Sequence, residues 1–182
     1  MKKFKILFFI LIAIKSFGQL TEMPLIKNKI TFNFKPNDSI KLKFENTEKT
    51  TEKIKIITDS FSEKYIVFIK NISNIEIKLN TIDNSTLEII LEALNENNEW
   101  KPVEYIEYPW CGNSYFDHTF KPQSFIKITS GKYNGDFETK LRYKLKNYND
   151  IYYSNIFVGK INKLQFIKKH LSDKEKAYEL AT

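Results

Sequence analysis

Apolar and polar residues alternate in short runs along nearly the whole chain, and clusters of turn-forming residues separate these runs. One such run covers residues 30–34, and the longest covers residues 136–146. A repeat of two places alternate side chains on opposite faces of a β-strand. Many short strands with turn signals roughly every 8–12 residues are typical of β-sandwiches. The sequence therefore predicts an all-β, immunoglobulin-like antiparallel β-sandwich with a short C-terminal helix.

The run at 136–146 also predicts which side chains are buried. One parity is apolar and should face the core: Phe137, Leu141, Tyr143 and Leu145. The other parity carries the candidate basic face, namely Lys140, Arg142 and Lys144. This face is either a binding surface for an anionic partner or a solvated surface. In the second case Arg142 would pair with a carboxylate on a neighbouring strand, such as Glu76, Glu88 or Glu92.

Three further segments are expected to be strands. Residues 40–44 alternate Ile40, Leu42 and Phe44 with lysines, and residues 103–108 are mainly apolar and aromatic. Residues 86–94 also fit a helical repeat, but the neighbouring segments alternate and the stretch lies between two turns. We therefore expect a strand there as well.

The first 18 residues have the order of a secretory signal peptide. Lysines at positions 2, 3 and 5 precede an apolar run at 6–14, and small residues Ser16 and Gly18 follow. The run is shorter than the about 20 apolar residues of a membrane-spanning helix. We predict cleavage between Gly18 and Gln19 and export to the periplasm or the outside of the cell.

The remaining chain divides into a body and a tail. Residues 19–161 are predicted to form the sandwich, with residues 20–60 as a possible strand-rich extension, and residues 162–182 form a helical tail. Asn162 and Gln165 have the spacing of a helix capping box, and Leu164 and Ile167 share a helical face. We expect this helix to pack on the sandwich and do not expect it to contact a membrane.

Charge and cysteine content exclude several classes of function. The formal charge is +7, but the first 18 residues hold four lysines and no acid, which leaves +3 for the rest. So small an excess argues against a nucleic-acid partner. The single cysteine, Cys111, excludes an intramolecular disulfide. No sequence motif predicts a cofactor or a metal site.

Residues 100–115 hold both tryptophans and several tyrosines. The candidate ligand-binding residues are Trp100, Tyr105, Tyr108, Trp110 and Tyr115. Exposed aromatic rings on a rigid sandwich can stack on sugar rings or anchor a protein partner. The alternative is that these rings pack in the core.

Cys111 and His118 raise the possibility of a thiol enzyme, since a nucleophilic thiolate needs a base within hydrogen-bond reach. Papain-like nucleophiles lie in a C-G-x-C-W context, and the residues after Cys111 lack the second cysteine and the tryptophan of that pattern. A metal site would need more ligands than Cys111, Asp117 and His118 supply. The third reading is a tight turn at Gly112-Asn113 with a buried cysteine.

Several segments resemble secreted immunoglobulin-like proteins of Bacteroidetes-type bacteria. They are Trp100-Lys101-Pro102-Val103-Glu104-Tyr105, Trp110-Cys111-Gly112-Asn113-Ser114-Tyr115, residues 135–145 and Tyr153-Ser154-Asn155. The resemblance implies a sandwich and export, and it transfers no site residue. We therefore expect an exported, non-catalytic binding protein whose partner is a protein or a polysaccharide at the cell envelope. The alternatives are a carbohydrate-binding module that uses residues 100–115, and a Cys111–His118 thiol enzyme.

Overall fold

A computed structural model describes residues 23–26, 28–46, 52–109 and 112–167 of the chain. The predicted signal peptide at 1–18 lies outside this part. The described elements, in chain order, are β1 (Lys29–Phe34), α1 (Asp38–Glu45), β2 (Ile54–Phe61), β3 (Lys64–Asn71), β4 (Ile77–Ile82), β5 (Thr86–Leu87), β6 (Ile89–Leu94), β7 (Trp100–Pro102), β8 (Tyr115–Phe120), β9 (Phe125–Gly131), β10 (Phe137–Asn147), β11 (Asp150–Tyr153) and β12 (Phe157–Ile161). Short 3₁₀ turns cover Gly112–Ser114 and Lys163–Phe166.

The described strands form three antiparallel sheets. The first has the order β1-β9-β3-β2, the second β11-β10-β6-β7 with β12 also paired to β10, and the third β5-β4-β8. Strands β11 and β12 pair with successive halves of the long strand β10. The predicted all-β sandwich-like fold is confirmed. Within the candidate extension at 20–60, β1 and β2 are strands of the first sheet.

The main core lies where the inner faces of the sheets meet. From β10, Leu141, Tyr143 and Leu145 are buried, and Phe137 is half-buried against the same cluster. Lys140 is exposed on the opposite face, and Arg142 and Lys144 are half-exposed there. The orientation predicted from the alternation is therefore confirmed. Each fully buried Leu or Ile contributes roughly 1.5–3 kcal/mol of hydrophobic stabilisation.

Residues 40–44 form part of helix α1, so the predicted strand there is wrong. Asn37 caps the helix, since its side-chain oxygen accepts a hydrogen bond from the Ile40 backbone N–H at 3.0 Å. Ile40 and Phe44 are four residues apart and therefore share one helical face as well as one strand face. That face packs Phe44 onto Phe125 of the first sheet, with the ring centroids 5.2 Å apart.

The predicted strand at 103–108 is also wrong, because β7 ends at Pro102. Val103 and Glu104 are adjacent, and both side chains are buried. In a strand with one solvated face, adjacent side chains point to opposite faces and only one of them is buried. Tyr105 then exchanges backbone hydrogen bonds with Pro24 and Ile26 at 3.1 and 3.0 Å. The predicted strand at 86–94 is confirmed as β5 and β6.

The predicted capping box at Asn162 and Gln165 is present and begins a 3₁₀ turn. The Gln165 side-chain amide donates to the Val103 carbonyl at 3.0 Å, and Phe166 contacts Phe137. The start of the tail therefore packs on the sandwich, as expected, while residues 168–182 lie outside the described part. Among the described residues, no helix has the length and apolar character needed to cross a membrane.

Candidate binding surface

The outer face of the second sheet brings together two groups of residues that the sequence analysis treated separately. Strand register places Arg142 of β10 directly opposite Glu92 of β6, and Leu94 of β6 opposite Trp100 of β7. On the other side of β10, Lys144 lies opposite Tyr153 of β11. A candidate aromatic residue and the candidate basic face thus share one surface.

Arg142 lies between two aromatic rings on this surface. Its guanidinium carbon is 4.2 Å from the Trp100 ring centroid and 3.9 Å from the Tyr153 ring centroid. We call Trp100, Arg142 and Tyr153 the Trp–Arg–Tyr stack. Each cation–π contact is worth about 0.5–2 kcal/mol, depending on how far water is excluded. A planar guanidinium can contact two aromatic faces at once, which a lysine ammonium does less well.

Glu92 fixes the orientation of the guanidinium in the stack. The Glu92 Oε2 atom accepts a hydrogen bond from Arg142 Nε at 2.8 Å, and Arg142 Nη2 forms an ion pair with the same oxygen at 2.8 Å. Lys144 Nζ lies 3.6 Å from Oε1 of the same carboxylate. Glu92 is only 5% exposed, so these two cations are the main partners of a carboxylate that is largely shielded from water. The pairing of Arg142 with a carboxylate of a neighbouring strand is therefore present.

Carboxylates balance most of the basic face. Besides the two cations on Glu92, Lys146 Nζ lies 3.8 Å from Glu88 Oε1, which also accepts a hydrogen bond from the Tyr108 hydroxyl at 2.7 Å. Lys140 is the member of the predicted basic face that has no ion pair within the described residues. This balance does not favour an anionic polymer as the partner.

Large apolar side chains are exposed beside the stack. They are Ile151, Tyr153, Ile156 and Val158, which are 45%, 40%, 56% and 64% exposed. We call these four residues the apolar patch. Ile151 and Tyr153 belong to β11, Val158 belongs to β12, and Ile156 lies in the connection between the two strands. The patch therefore continues from the stack to the edge of the second sheet.

The other described aromatic candidates are not part of the stack. The backbone of Tyr105 pairs with residues 24–26. The Tyr108 hydroxyl donates to Glu88, the carboxylate that also pairs with Lys146 of β10. Tyr115 begins β8 in the third sheet, and its hydroxyl donates to the Pro109 carbonyl at 3.5 Å. Trp110 lies outside the described residues. Of the five candidates, Trp100 is the one that the structure places in the stack.

The structure places His118 in an aromatic contact. Its ring is 4.1 Å from the Phe32 ring, centroid to centroid, and partial burial lowers the pKa of His118. Asp117 precedes it on β8 and therefore points to the opposite face, where it pairs with Lys78 at 2.9 Å. Cys111 lies outside the described residues. Within the described part, no group of three or more potential metal-ligating side chains is present.

A cleft of about 420 Å³ opens at the edge of the second sheet. It lies between β12 and the hairpin formed by β2 and β3. Its lining residues are mainly polar: Ser60, Ser62, Glu63, Tyr65, Lys132, Tyr133, Asn134, Gly135, Glu138, Val158, Gly159 and Lys160. Val158 belongs both to this lining and to the apolar patch, so the cleft adjoins the outer face.

A buried carboxyl group lies behind one wall of the cleft. Glu104 is 1% exposed, and it accepts hydrogen bonds from the Leu91 backbone N–H at 2.7 Å and from the Tyr133 hydroxyl at 2.6 Å. Burial raises the pKa of Glu104 to about 7, and the two hydrogen bonds offset only part of that effect. Burial raises the pKa of Tyr133 well above its ordinary value, and the neighbouring Glu104 carboxyl group adds to this shift.

Comparison with known proteins adds no functional assignment. Neither a protein-family model nor a curated protein matches the sequence.

Proposed function

We propose that the protein is an exported, non-catalytic binding protein that recognises a protein partner through the outer face of its second sheet. The observation that carries this proposal is the Trp–Arg–Tyr stack next to the exposed apolar patch. Trp, Tyr and Arg are the residue types most enriched among binding hot spots. Contiguous exposed apolar side chains with polar surroundings are typical of interaction sites. The signal-like residues 1–18 support export.

The guanidinium favours a protein over a sugar as the partner. A sugar ring stacks on an open aromatic face, but Arg142 covers one face of Trp100 and one face of Tyr153. Its ion pair with Glu92 keeps it there. A protein partner can instead use the edges of these rings together with Ile156 and Val158. These contacts therefore make a carbohydrate-binding module the less favoured candidate.

Site-specific photo-crosslinking in the producing cells tests the proposal. A photoreactive amino acid replaces Ile156 in one version of the protein and Ile75 in another. The two isoleucines are 56% and 58% exposed, but Ile75 lies outside the apolar patch, so it is a matched control. We expect a discrete protein adduct from position 156 alone, and we expect its loss when Tyr153→Ala is added. Equal adducts from both positions, or binding of the purified protein to immobilised glycans that requires Trp100, would overturn the proposal.

A further inference from the structure

Strand β12 has one unpaired edge. It pairs with β10 over Phe137–Leu141, and within the described residues no other backbone hydrogen bond involves residues 157–161. The facing strand β2 pairs with β3 alone along Asp59–Phe61. Two strand edges with free backbone donors and acceptors therefore face each other. Such edges bind other extended chains unless the protein blocks them.

The cleft is the gap between these two edges. Ile56 of β2 forms a parallel bridge with Ser154. The Asn155 side chain accepts a hydrogen bond from the Thr58 N–H at 2.7 Å and donates one to the Thr58 C=O at 3.3 Å, and we call these contacts the clamp. Beyond this clamp the two strands separate, and the cleft opens between Ser60 on one side and Val158 on the other. One end of the gap is thus closed by hydrogen bonds, and its sides are strand edges.

Gly159 allows the Tyr65 hydroxyl and the Leu141 side chain to approach β12 closely. A Cβ atom at this position would lie 2.4 Å from the Tyr65 hydroxyl oxygen and 2.5 Å from Leu141 Cδ1, so no larger residue fits there without movement. The charged lining residues Lys160, Glu138, Lys132 and Glu63 have no ion pairs within the described residues. Charges of both signs therefore line the cleft, and one of them, the Lys132 ammonium, lies 5.4 Å from the Tyr65 ring centroid.

We propose that β12 binds an extended peptide segment of the partner protein by strand addition, with the peptide lying in the cleft. This proposal rests on the proposed function and names the way in which the partner is held. A row of unpaired backbone groups at strand spacing complements another backbone, which a sugar does not supply. Alternate peptide side chains would reach the outer face beside Val158 and Ile156, where the apolar patch provides contacts. The remaining side chains would lie over the polar cleft.

The probe is a peptide selected from a display library of random peptides about 10 residues long, roughly one strand. Amide hydrogen exchange of the purified protein is then measured with and without the selected peptide. Because strand edges alternate, either the amides of 158 and 160 or those of 157, 159 and 161 should exchange fast in the free protein. We expect these amides to become protected at least tenfold, while the amides of β1 do not change.

Two further measurements separate strand addition from other binding modes. Methylation of peptide backbone nitrogens one at a time should weaken binding at every second position. Val158→Asp should weaken binding at least tenfold, whereas Ile75→Asp, at a similarly exposed site, should not. Protection that appears at 59–61 instead of β12, or an N-methyl scan without alternation, would overturn the assignment to β12.

The outcomes also distinguish this proposal from the proposed function. If no peptide binds, or if an oligosaccharide occupies the cleft, while Ile156 still crosslinks to a protein, strand addition is wrong and the outer face remains the binding surface. If the crosslink at Ile156 is absent as well, the proposed function fails with it.

Discussion

At the scale of single residues, Glu104 makes the folded state sensitive to pH. Its pKa is about 7 in the folded protein, above the ordinary value of 4.5, so the folded state holds a proton that the unfolded chain releases between these values. The stabilising contribution is complete below pH 4.5 and is lost as the pH rises through 7. We expect the free energy of unfolding to fall by about 3 kcal/mol as the pH rises from 4.5 to 8, because Glu104 loses its proton in the folded protein. Urea denaturation at a series of pH values measures this.

Glu104→Gln isolates this effect. The amide can still accept from the Leu91 N–H, but it does not titrate. Partial burial of His118 acts in the opposite direction, since its lowered pKa costs stability as the pH falls, and this contribution is the same in both proteins. The difference between wild type and variant should therefore change with pH by about 3 kcal/mol. Exposed Glu138→Gln is the control. A constant difference for Glu104→Gln would show that this carboxyl group does not titrate as described.

Arg142 is predicted to be a stability determinant as well as a binding residue. Arg142→Ala leaves Glu92 buried with only Lys144 nearby, at a cost of about 3 kcal/mol. Adding Glu92→Gln to that variant should recover a good part of the loss, because no uncompensated charge remains. Chemical denaturation of the two single variants and the double variant measures the coupling. Additive losses would contradict the paired geometry.

At the scale of elements, the two faces of β10 should differ sharply in their response to truncation. Leu141 is fully buried, so Leu141→Ala should cost about 2–5 kcal/mol of unfolding free energy. Lys140 is exposed one residue away, and Lys140→Ala should change the free energy of unfolding by less than about 0.5 kcal/mol. Equal losses in the two variants would mean that the register of β10 is different.

The sequence pattern predicted β10 well because eleven residues of one repeat leave no other reading. It failed at residues 40–44 because Ile40 and Phe44 share a face in a helix as well as in a strand. The signal that decides between them was Asn37, a favourable helix cap directly after Pro36. The strand prediction at 103–108 failed because Glu104, the residue expected on the polar face, is buried by tertiary contacts.

The candidate site was only partly predictable. Trp100 and Arg142 were each visible as unusual residues, but their contact depends on the registers of β7 and β10 against β6. No local pattern fixes such registers between distant strands. Tyr153 was missed as a site residue because its neighbour Tyr152 is buried and the two look alike in sequence. The cleft arises from the divergence of β2 and β12, which sequence alone does not reveal.

At the scale of the whole molecule, export makes a direct prediction about the N-terminus. If residues 1–18 are a signal peptide, protein recovered from the periplasm or the medium should begin at Gln19. N-terminal sequencing or intact-mass measurement of the exported protein tests this. An intact Met1 on exported material would rule the cleavage out.

The last prediction separates a binding protein from a thiol enzyme. In a binding protein, Cys111→Ser and His118→Ala should leave partner affinity nearly unchanged, while Trp100→Ala should cost about 2 kcal/mol of binding free energy. In a thiol enzyme, Cys111 would react rapidly with iodoacetamide at neutral pH, because the reactive form is a thiolate held by a base. Partial burial lowers the pKa of His118 and so favours a neutral ring. We therefore expect slow alkylation of native Cys111 at a rate that His118→Ala does not change. Rapid alkylation that depends on His118 would overturn the binding-protein proposal in favour of a thiol enzyme.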